Sequence, residues 1–182
     1  DVMMGSFEAV GHEHIATVDG TMYLLTDRDA PKGRILAVDA HDPASEREIV
    51  AEAGDALERV RLVGGRLAAV YLHDAYSRLA LFDLDGRLAV EVTLPGIGVI
   101  VETAGQRTDE ELYLTFMSFV APPAVLAVRV SDGTVREVGR AALAWNPDAF
   151  VSEQVFVTSA DGTEIPVFLT RRRDLASLEA ER

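Results

Sequence analysis

Two histidines lie two positions apart near the start of the chain and could bind a metal ion. The stretch GHEHIATV carries His12 and His14, and on a β-strand residues i and i+2 share one face. Two imidazoles in that arrangement are a common part of zinc sites. A solvent-facing pair at the edge of a sheet gives the same pattern. We favour that interpretation and predict no metal site, because His41 and His73 fall in predicted connections and supply no further ligand spacing.

Paired carboxylates are the second group of residues that could take part in catalysis. Asp27 precedes Asp29 by two positions, as Asp83 precedes Asp85. General acid–base catalysis requires two carboxylates in a shared, partly desolvated cleft. Both pairs fall in turns between predicted strands, so we expect them to accept hydrogen bonds from backbone amides and to face water.

The signals for nucleophilic or phosphate chemistry are weak. The sequence has no Gly-x-Ser-x-Gly elbow and no glycine-rich phosphate loop,. Ser159 and Asp161 are neighbours in a predicted turn with no histidine near them in sequence. The run Arg171–Arg173 could bind an anion, but we favour a solvated run that closes a strand. We therefore predict no catalytic, cofactor-binding or metal-binding residue in this chain.

Composition excludes several classes of partner. The 182 residues are 48% hydrophobic and carry a formal net charge of −13, which disfavours nucleic acid and anionic lipid as partners,. Without cysteine there is no disulfide framework or thiolate zinc site, and a reducing compartment fits this composition,. No apolar run is long enough to span a bilayer. The opening DVMMGSFEAV is not a secretory signal, and because it lacks an initial Met we expect the chain to begin part-way through a longer protein,.

Turn signals at short intervals predict an all-β fold. Asp-Gly, Lys-Gly or Gly-Gly pairs recur along the chain and separate short runs rich in Val, Leu, Ile, Tyr and Phe,. The alternative is local helix. The stretch ASEREIVAEAGDALERV (44–60) could form a short helical turn, and the tail DLASLEAER another.

The strands repeat in three units. Apolar strand pairs joined by a short connection begin at Gly20, Gly65 and Glu110, and repeats of about 45 residues with several strands each are typical of propeller blades. We predict four strands in each unit: 12–18, 21–26, 35–39 and 47–52; 57–63, 66–72, 79–84 and 88–94; and 98–103, 112–118, 124–130 and 134–139.

The central strands lack polar alternation. LAAVYL, LALFDL, LYLTFM and AVLAVRV are apolar at successive positions, so both faces of these hairpins must be covered. Radially arranged blades provide that cover. A β-sandwich or β-barrel with unusually apolar core strands is the alternative.

A last hairpin follows the third unit. FVTSADGTEIPVFLT (156–170) has two strands around an Asp161-Gly162 turn. Upstream, SFVAPP places Phe119 beside Pro122-Pro123. We favour a rigid connection there, since proline fixes φ and donates no hydrogen bond, and an apolar contact surface is the alternative.

Several of these stretches resemble the prolyl oligopeptidase family, serine peptidases that cleave short peptides after proline. The resemblance is carried by YLLTDRDAPKGRILAVD, YLHDAYSRLALFDLDGRLAVEVTLPGIG, LYLTFMSFVAPPAVLAVRV and VFVTSADGTEIPVFLTRR. Members have a seven-bladed propeller inserted near the start of an α/β-hydrolase domain, and the propeller is thought to admit only short peptides. The resemblance implies that residues 1–141 are the last three blades, 142–150 a linker, and 151–182 the start of the peptidase domain.

The same resemblance implies that this part is not catalytic alone. The family's catalytic triad would lie beyond Arg182, and the partners would be the remaining blades, the peptidase domain and short proline-containing peptides. Blades without neighbours would expose apolar faces, so the isolated chain is expected to self-associate. The expected compartment is the cytoplasm, with the periplasm as the alternative. A stand-alone propeller-like binding module and a small hydrolase that uses its own His and Asp residues are the competing hypotheses.

Overall fold

The computed structural model describes residues 11–175, which are almost entirely β-strand and turn. Pro147–Ala149 form a short 3-10 turn. The strands are β1 His12–Val18, β2 Thr21–Thr26, β3 Arg34–Asp39, β4 Asp42–Val50, β5 Ala56–Val63, β6 Arg66–His73, β7 Tyr76–Phe82, β8 Leu88–Val92, β9 Gly98–Ala104, β10 Glu111–Ser118, β11 Ala124–Arg129, β12 Val135–Arg140, β13 Phe150–Thr158 and β14 Glu164–Arg172.

The first twelve strands form three antiparallel sheets of four. Each sheet contains consecutive strands in sequence order, β1 to β4, β5 to β8 and β9 to β12, and we call them blades 1, 2 and 3. Strands β13 and β14 form a separate two-stranded sheet. The three predicted blades and the final hairpin are therefore confirmed.

The blades stack face to face, which explains the missing alternation. In β6, Leu67, Ala69 and Tyr71 belong to a buried cluster shared with blade 1. The intervening Ala68 and Val70 belong to a second cluster shared with blade 3. Because successive side chains of a strand point to opposite faces, the central strand of blade 2 must be apolar throughout. The prediction that both faces of the central strands are covered is confirmed for this blade.

A β-bulge recurs in the first strand of every blade. The pairing of each first strand with the second shifts by one residue at Ile15, Glu58 and Val101. The same irregularity at corresponding places supports a true structural repeat. Between blades 2 and 3, the first strands are also joined by arginine: Arg59 Nη1 donates to the Val101 carbonyl at 3.1 Å, and Arg61 Nε donates to Thr103 Oγ1 at 3.3 Å.

Two expectations about strands are wrong. Strand β4 spans Asp42–Val50 rather than 47–52, and the chain from 51 to 55 is a connection, so the alternative helix over 44–60 is not formed. Pairing of Val50 with Ile35 and of Glu48 with Leu36 fixes this segment as the outermost strand of blade 1. The hairpin strands are longer than predicted, beginning at Phe150. Most of the alternative tail helix lies outside the described residues.

The two outer faces of the stack differ. On blade 3, Tyr113, Met117 and Val125 are about 40% exposed, which agrees with the expected uncovered face. On blade 1, the side chains of Met22, Leu24, Leu36 and Val38 are buried in a cluster of their own. The expectation of a large exposed apolar face is therefore wrong for these residues of blade 1.

Candidate functional site: the docking end of the blades

Alternate connections of an antiparallel blade lie at opposite ends of its strands. The connections between second and third strands, and those that lead from one blade to the next, share one end. We call it the docking end, because the hairpin lies there. It comprises residues 27–33, 51–55, 74–75, 93–97 and 119–123.

Two contacts place the hairpin on the docking end. Gln154 of β13 donates from Nε2 to the Asp74 carbonyl in the β6–β7 turn of blade 2 at 2.6 Å. Phe168 of β14 stacks on Phe119 in the β10–β11 connection of blade 3, with ring centroids 4.9 Å apart. The hairpin therefore spans the ends of two neighbouring blades. The SFVAPP stretch thus takes part in an apolar contact, which was the alternative to the favoured role of a rigid connection.

The hairpin has a docking face and an outer face. The register pairs Gln154 with Phe168 and Phe156 with Pro166, so these four residues share the docking face. The alternate positions form the outer face, which is aliphatic apart from the Glu153–Arg171 ion pair; its apolar members are Val151, Val155, Val157, Ile165, Val167 and Leu169. Val157 and Ile165 are about half exposed. An apolar strip of this kind on a two-stranded sheet is a surface suited to further packing.

The connection between blade 3 and the hairpin is anchored at both ends. Trp145 Nε1 donates to the Val120 carbonyl at 3.1 Å, so the connection is tied to the same loop that carries Phe119. Asn146 caps the 3-10 turn by accepting a hydrogen bond from Asp148 N at 3.0 Å. Arg173, just after β14, donates from Nε to the Asp148 carbonyl at 2.8 Å.

A charged cluster underlies the turn that receives Gln154. His73 Nδ1 lies 2.7 Å from Asp55 Oδ1, and Arg78 Nη1 donates to Asp55 Oδ2 at 2.8 Å. His73 Nε2 lies 3.7 Å from the Asp74 carboxylate, and the His73 ring meets Tyr76 edge-on. Burial acts to raise the pKa of Asp55, but the hydrogen bonds from His73 and Arg78 outweigh it and lower that pKa,.

The interpretation of His12 and His14 as a solvent-facing pair is wrong for His12. His12 is buried, and burial, together with the charges of Arg28 and Arg34, lowers its pKa. His14 is exposed, and its Nε2 lies 2.9 Å from Thr17 Oγ1. Within residues 11–175, no group of three or more His, Asp or Glu side chains is placed to hold a metal ion.

The carboxylate pairs lie in turns. Asp85 Oδ1 accepts a hydrogen bond from Arg87 N at 3.0 Å, and Asp83 pairs with the Arg87 guanidinium. The turn residue Asp161 accepts hydrogen bonds from Ser159 and from Thr163 N, which lower its pKa to about 2. Asp85 and Asp161 thus bind backbone amides within their turns, as expected for Asp85, whereas the Asp83 carboxylate pairs with the arginine side chains of Arg66 and Arg87. Asp27 and Asp29 also lie in a turn, in which Ala30 N donates a hydrogen bond to the Asp27 carbonyl.

Each arginine of the 171–173 run has a partner within the chain. Arg171 pairs with Glu153 at 2.6 Å and Arg172 with Asp174 at 2.7 Å, while Arg173 binds the Asp148 carbonyl. The run therefore holds the end of the hairpin.

The comparisons with known proteins agree with this architecture. Residues 2–139 match the family model described as the prolyl oligopeptidase N-terminal beta-propeller domain. The chain belongs to this family. It is 34% identical over 165 residues to a prolyl endopeptidase from Elizabethkingia meningoseptica, covering 89% of this chain and 23% of the relative. A dual function macrocyclase-peptidase from Amanita bisporigera is 27% identical over 88% of this chain.

Solved structures give the same result. One from a study of two prolyl endopeptidases superposes with a TM-score of 0.79 at 36% identity, over 91% of this chain and 25% of its own. Prolyl oligopeptidase B from Galerina marginata, at 20% identity, matches with a TM-score of 0.82 and supports the fold alone. The chain thus spans about a quarter of the length of the prolyl oligopeptidase relatives that it matches.

The polar contacts at the docking end were not predicted from the sequence. Asp55 and His73 are 18 positions apart, and Gln154 reaches a carbonyl 80 positions away. No pattern of neighbouring residues in the sequence predicts either contact. A signal was available only for Asp74, which follows directly on the apolar β6 and so marks its end.

Within the described residues, no helix is both long and apolar enough to cross a membrane.

Proposed function

We propose that this chain is part of a prolyl oligopeptidase-type serine endopeptidase that cleaves short peptides after proline. Residues 1–141 are the last three blades of its propeller, 142–150 the linker, and 151–182 the start of the peptidase domain. The blades contribute to a cover that restricts access by size. They supply no catalytic residue; in this assignment the triad lies beyond Arg182.

The position and the two faces of the hairpin are the main support for this proposal. The hairpin lies outside the three blade sheets, it docks on them by one face, and its other face is an aliphatic strip. A two-stranded sheet is marginal by itself in water. The strip therefore suits a hairpin that continues into a larger sheet. The alignments with prolyl endopeptidases, at 34–36% identity overall, cover 89–91% of this chain and so extend beyond the blades.

The proposal is tested by comparing this chain with the protein encoded by its parent gene. We expect the complete protein to cleave a chromogenic peptide with proline before the scissile bond, and a serine-directed phosphonate to abolish this activity. The 182-residue chain alone should show none. An open reading frame that stops after Arg182 would contradict the assignment and favour a stand-alone binding module. Activity of this chain alone would favour a small hydrolase.

Size restriction is tested on the complete protein with a series of peptides that share one cleavage site and differ in length. We expect kcat/KM to fall sharply once the peptide exceeds the size of a short oligopeptide. Equal rates on a folded protein that carries the same exposed site would contradict the role of the propeller as a cover.

We also propose that the isolated chain self-associates through the uncovered face of blade 3. Tyr113, Met117 and Val125 are the exposed apolar residues on that face. Light scattering should show a mass above 19.7 kDa that rises with concentration, and Val125→Lys should shift the distribution toward monomer. Leu88→Lys, at an exposed apolar position on the outermost strand of blade 2, is the matched control. A monodisperse monomer at high concentration would contradict this proposal.

For the parent protein we propose a cytoplasmic location, since the chain has no cysteine,. The periplasm is the alternative, and cell fractionation separates the two.

A further inference from the structure

The β6–β7 turn combines an unfavourable backbone conformation with the hairpin contact. Asp74 and Ala75 form a two-residue turn, with φ of +42° and +70°. Two positive φ values are typical of a type I′ turn, whose second central position is usually glycine. Alanine in the left-handed region is disfavoured by its Cβ. Residues with strained backbone conformations of this kind cluster at functional positions.

The turn conformation decides where one carbonyl points. His73 and Tyr76 pair across the hairpin on either side of the turn, whereas the peptide between Asp74 and Ala75 is central and has no partner across the strands. The carbonyl of this peptide is the acceptor for Gln154. If that peptide rotates and Ala75 relaxes to negative φ, the carbonyl turns away from Gln154.

The side chains beside the turn are joined in a network of charged contacts. The Asp74 carboxylate lies near His73, which is itself held by Asp55 and, through Asp55, by Arg78. Arg78 also pairs with Glu91 on β8. These contacts anchor the flanks of the turn on blade 2 through side chains, and none of them involves the central peptide.

Few specific polar or aromatic contacts attach the hairpin strands to the blades. In the part of the chain that the structure describes, their polar contact with the blades is the bond from Gln154, and the aromatic contact is Phe119 with Phe168. A neutral hydrogen bond and an aromatic pair each contribute little net free energy. A change at either contact can therefore shift the balance between docked and released hairpin.

We infer that the Asp74–Ala75 turn and Gln154 form a releasable clasp, in which rotation of one peptide controls docking of the hairpin on the blades. The inference concerns the chain itself and does not require the hairpin to belong to a peptidase domain. If the proposed function also holds, the clasp sets the orientation of the peptidase domain relative to the propeller.

The clasp is tested by hydrogen exchange of the hairpin amides, measured against those of β6 in the same sample. Gln154→Ala should speed exchange of the hairpin about five-fold, the equivalent of one neutral hydrogen bond. Thr158→Ala is the matched control, because Thr158 bonds Glu164 within the hairpin, at the end remote from Asp74. Equal exchange in the two variants would overturn the clasp.

Substitutions at Ala75 test the role of the peptide rotation. Ala75→Gly should favour positive φ and slow hairpin exchange about two- to five-fold, whereas Ala75→Val should speed it, since β-branched residues are poorly tolerated there. In a Gln154→Ala background the Ala75→Gly effect should vanish. An undiminished effect in that background would show that the turn does not act through Gln154 and would contradict the inference. This result is independent of any peptidase assay.

Discussion

The contact between blades 2 and 3 is much more extensive than the contact between the hairpin and the blades. The first buries a continuous cluster of fourteen residues from both sheets, reinforced by Arg59 and Arg61 between the first strands. The second includes, among the described residues, one hydrogen bond and one aromatic pair. In addition, Phe150, Val151 and Ser152 line a cavity together with residues of blade 3. Burial of apolar area dominates folding free energy, so we expect the blade stack to be the more stable unit and the hairpin to be held less firmly.

The difference also explains what each region requires of its sequence. Blade strands must be apolar at successive positions because both faces are covered, and turns between blades must allow close approach. The hairpin needs one face for the blades and one for a further partner. Substitutions in the two regions should therefore have effects of different size.

The largest effect is expected where a turn of one blade touches the backbone of the next. Gly86 has φ of +90°, and a Cβ at this position would overlap the carbonyl oxygen of Ile49 in blade 1. Gly86→Ala should lower the free energy of unfolding by about 3–5 kcal/mol, from backbone strain plus steric overlap. The matched control is Gly65→Ala. Gly65 has a similar φ of +72° but open space around it, so we expect a loss of about 1–2 kcal/mol from strain alone.

Urea denaturation measures both glycine variants. Equal losses of stability would show that blade 1 moves aside at little cost. They would contradict the close packing of the Gly86 turn against blade 1.

A somewhat smaller effect is expected in the apolar cluster between blades 2 and 3. Leu112 of β10 is fully buried there, and Leu112→Ala should cost about 2–5 kcal/mol through lost burial and the cavity left behind. Val167→Ala on the outer face of the hairpin should cost about 1 kcal/mol or less, because this face is partly exposed,. Thermal or urea unfolding of both variants measures the contrast. Similar losses would mean that the hairpin is part of the same cooperative unit as the blades.

The smallest effect concerns the charged cluster of the docking end. Asp55→Asn should cost about 1–2 kcal/mol at neutral pH through weakened bonds to His73 and Arg78. The pKa of Asp55 is lowered on folding from its ordinary value of 3.8. The carboxylate therefore stabilises the fold above pH 3.8, and this contribution is lost as the pH falls below 3.8 through the folded value. Stability curves of the two proteins should converge at the acid end. A constant difference across the whole range would contradict the assigned role.

Which parts of the fold can be predicted from sequence follows from the same physics. The apolar run of β6 identifies a strand covered on both faces, and Asp161-Gly162 identifies the hairpin turn, because both signals are local. Strand β4 was misplaced because it is the outermost strand of its blade, where Asp42 to Glu48 are exposed. Such an edge strand has no apolar pattern to mark where it begins.

The contacts of the docking end show more clearly what cannot be predicted from the sequence. These contacts join Asp55 to His73 and Gln154 to Asp74, and each depends on how sheets are stacked rather than on spacing along the chain. The family resemblance predicts that a hairpin follows the blades, but the residues that hold it can be read only from the three-dimensional structure.

The most direct test of a rigid stack with a movable hairpin is a pair of distance distributions from spin labels, since the chain has no cysteine of its own. One pair joins exposed turns of blades 2 and 3, at Arg87→Cys and Ser131→Cys; the other joins blade 3 to the hairpin tip, at Ser131→Cys and Thr163→Cys. We predict a narrow distribution for the first pair and a broader one for the second, which Ala75→Gly narrows. Equally narrow distributions that Ala75→Gly and Gln154→Ala leave unchanged would contradict the account.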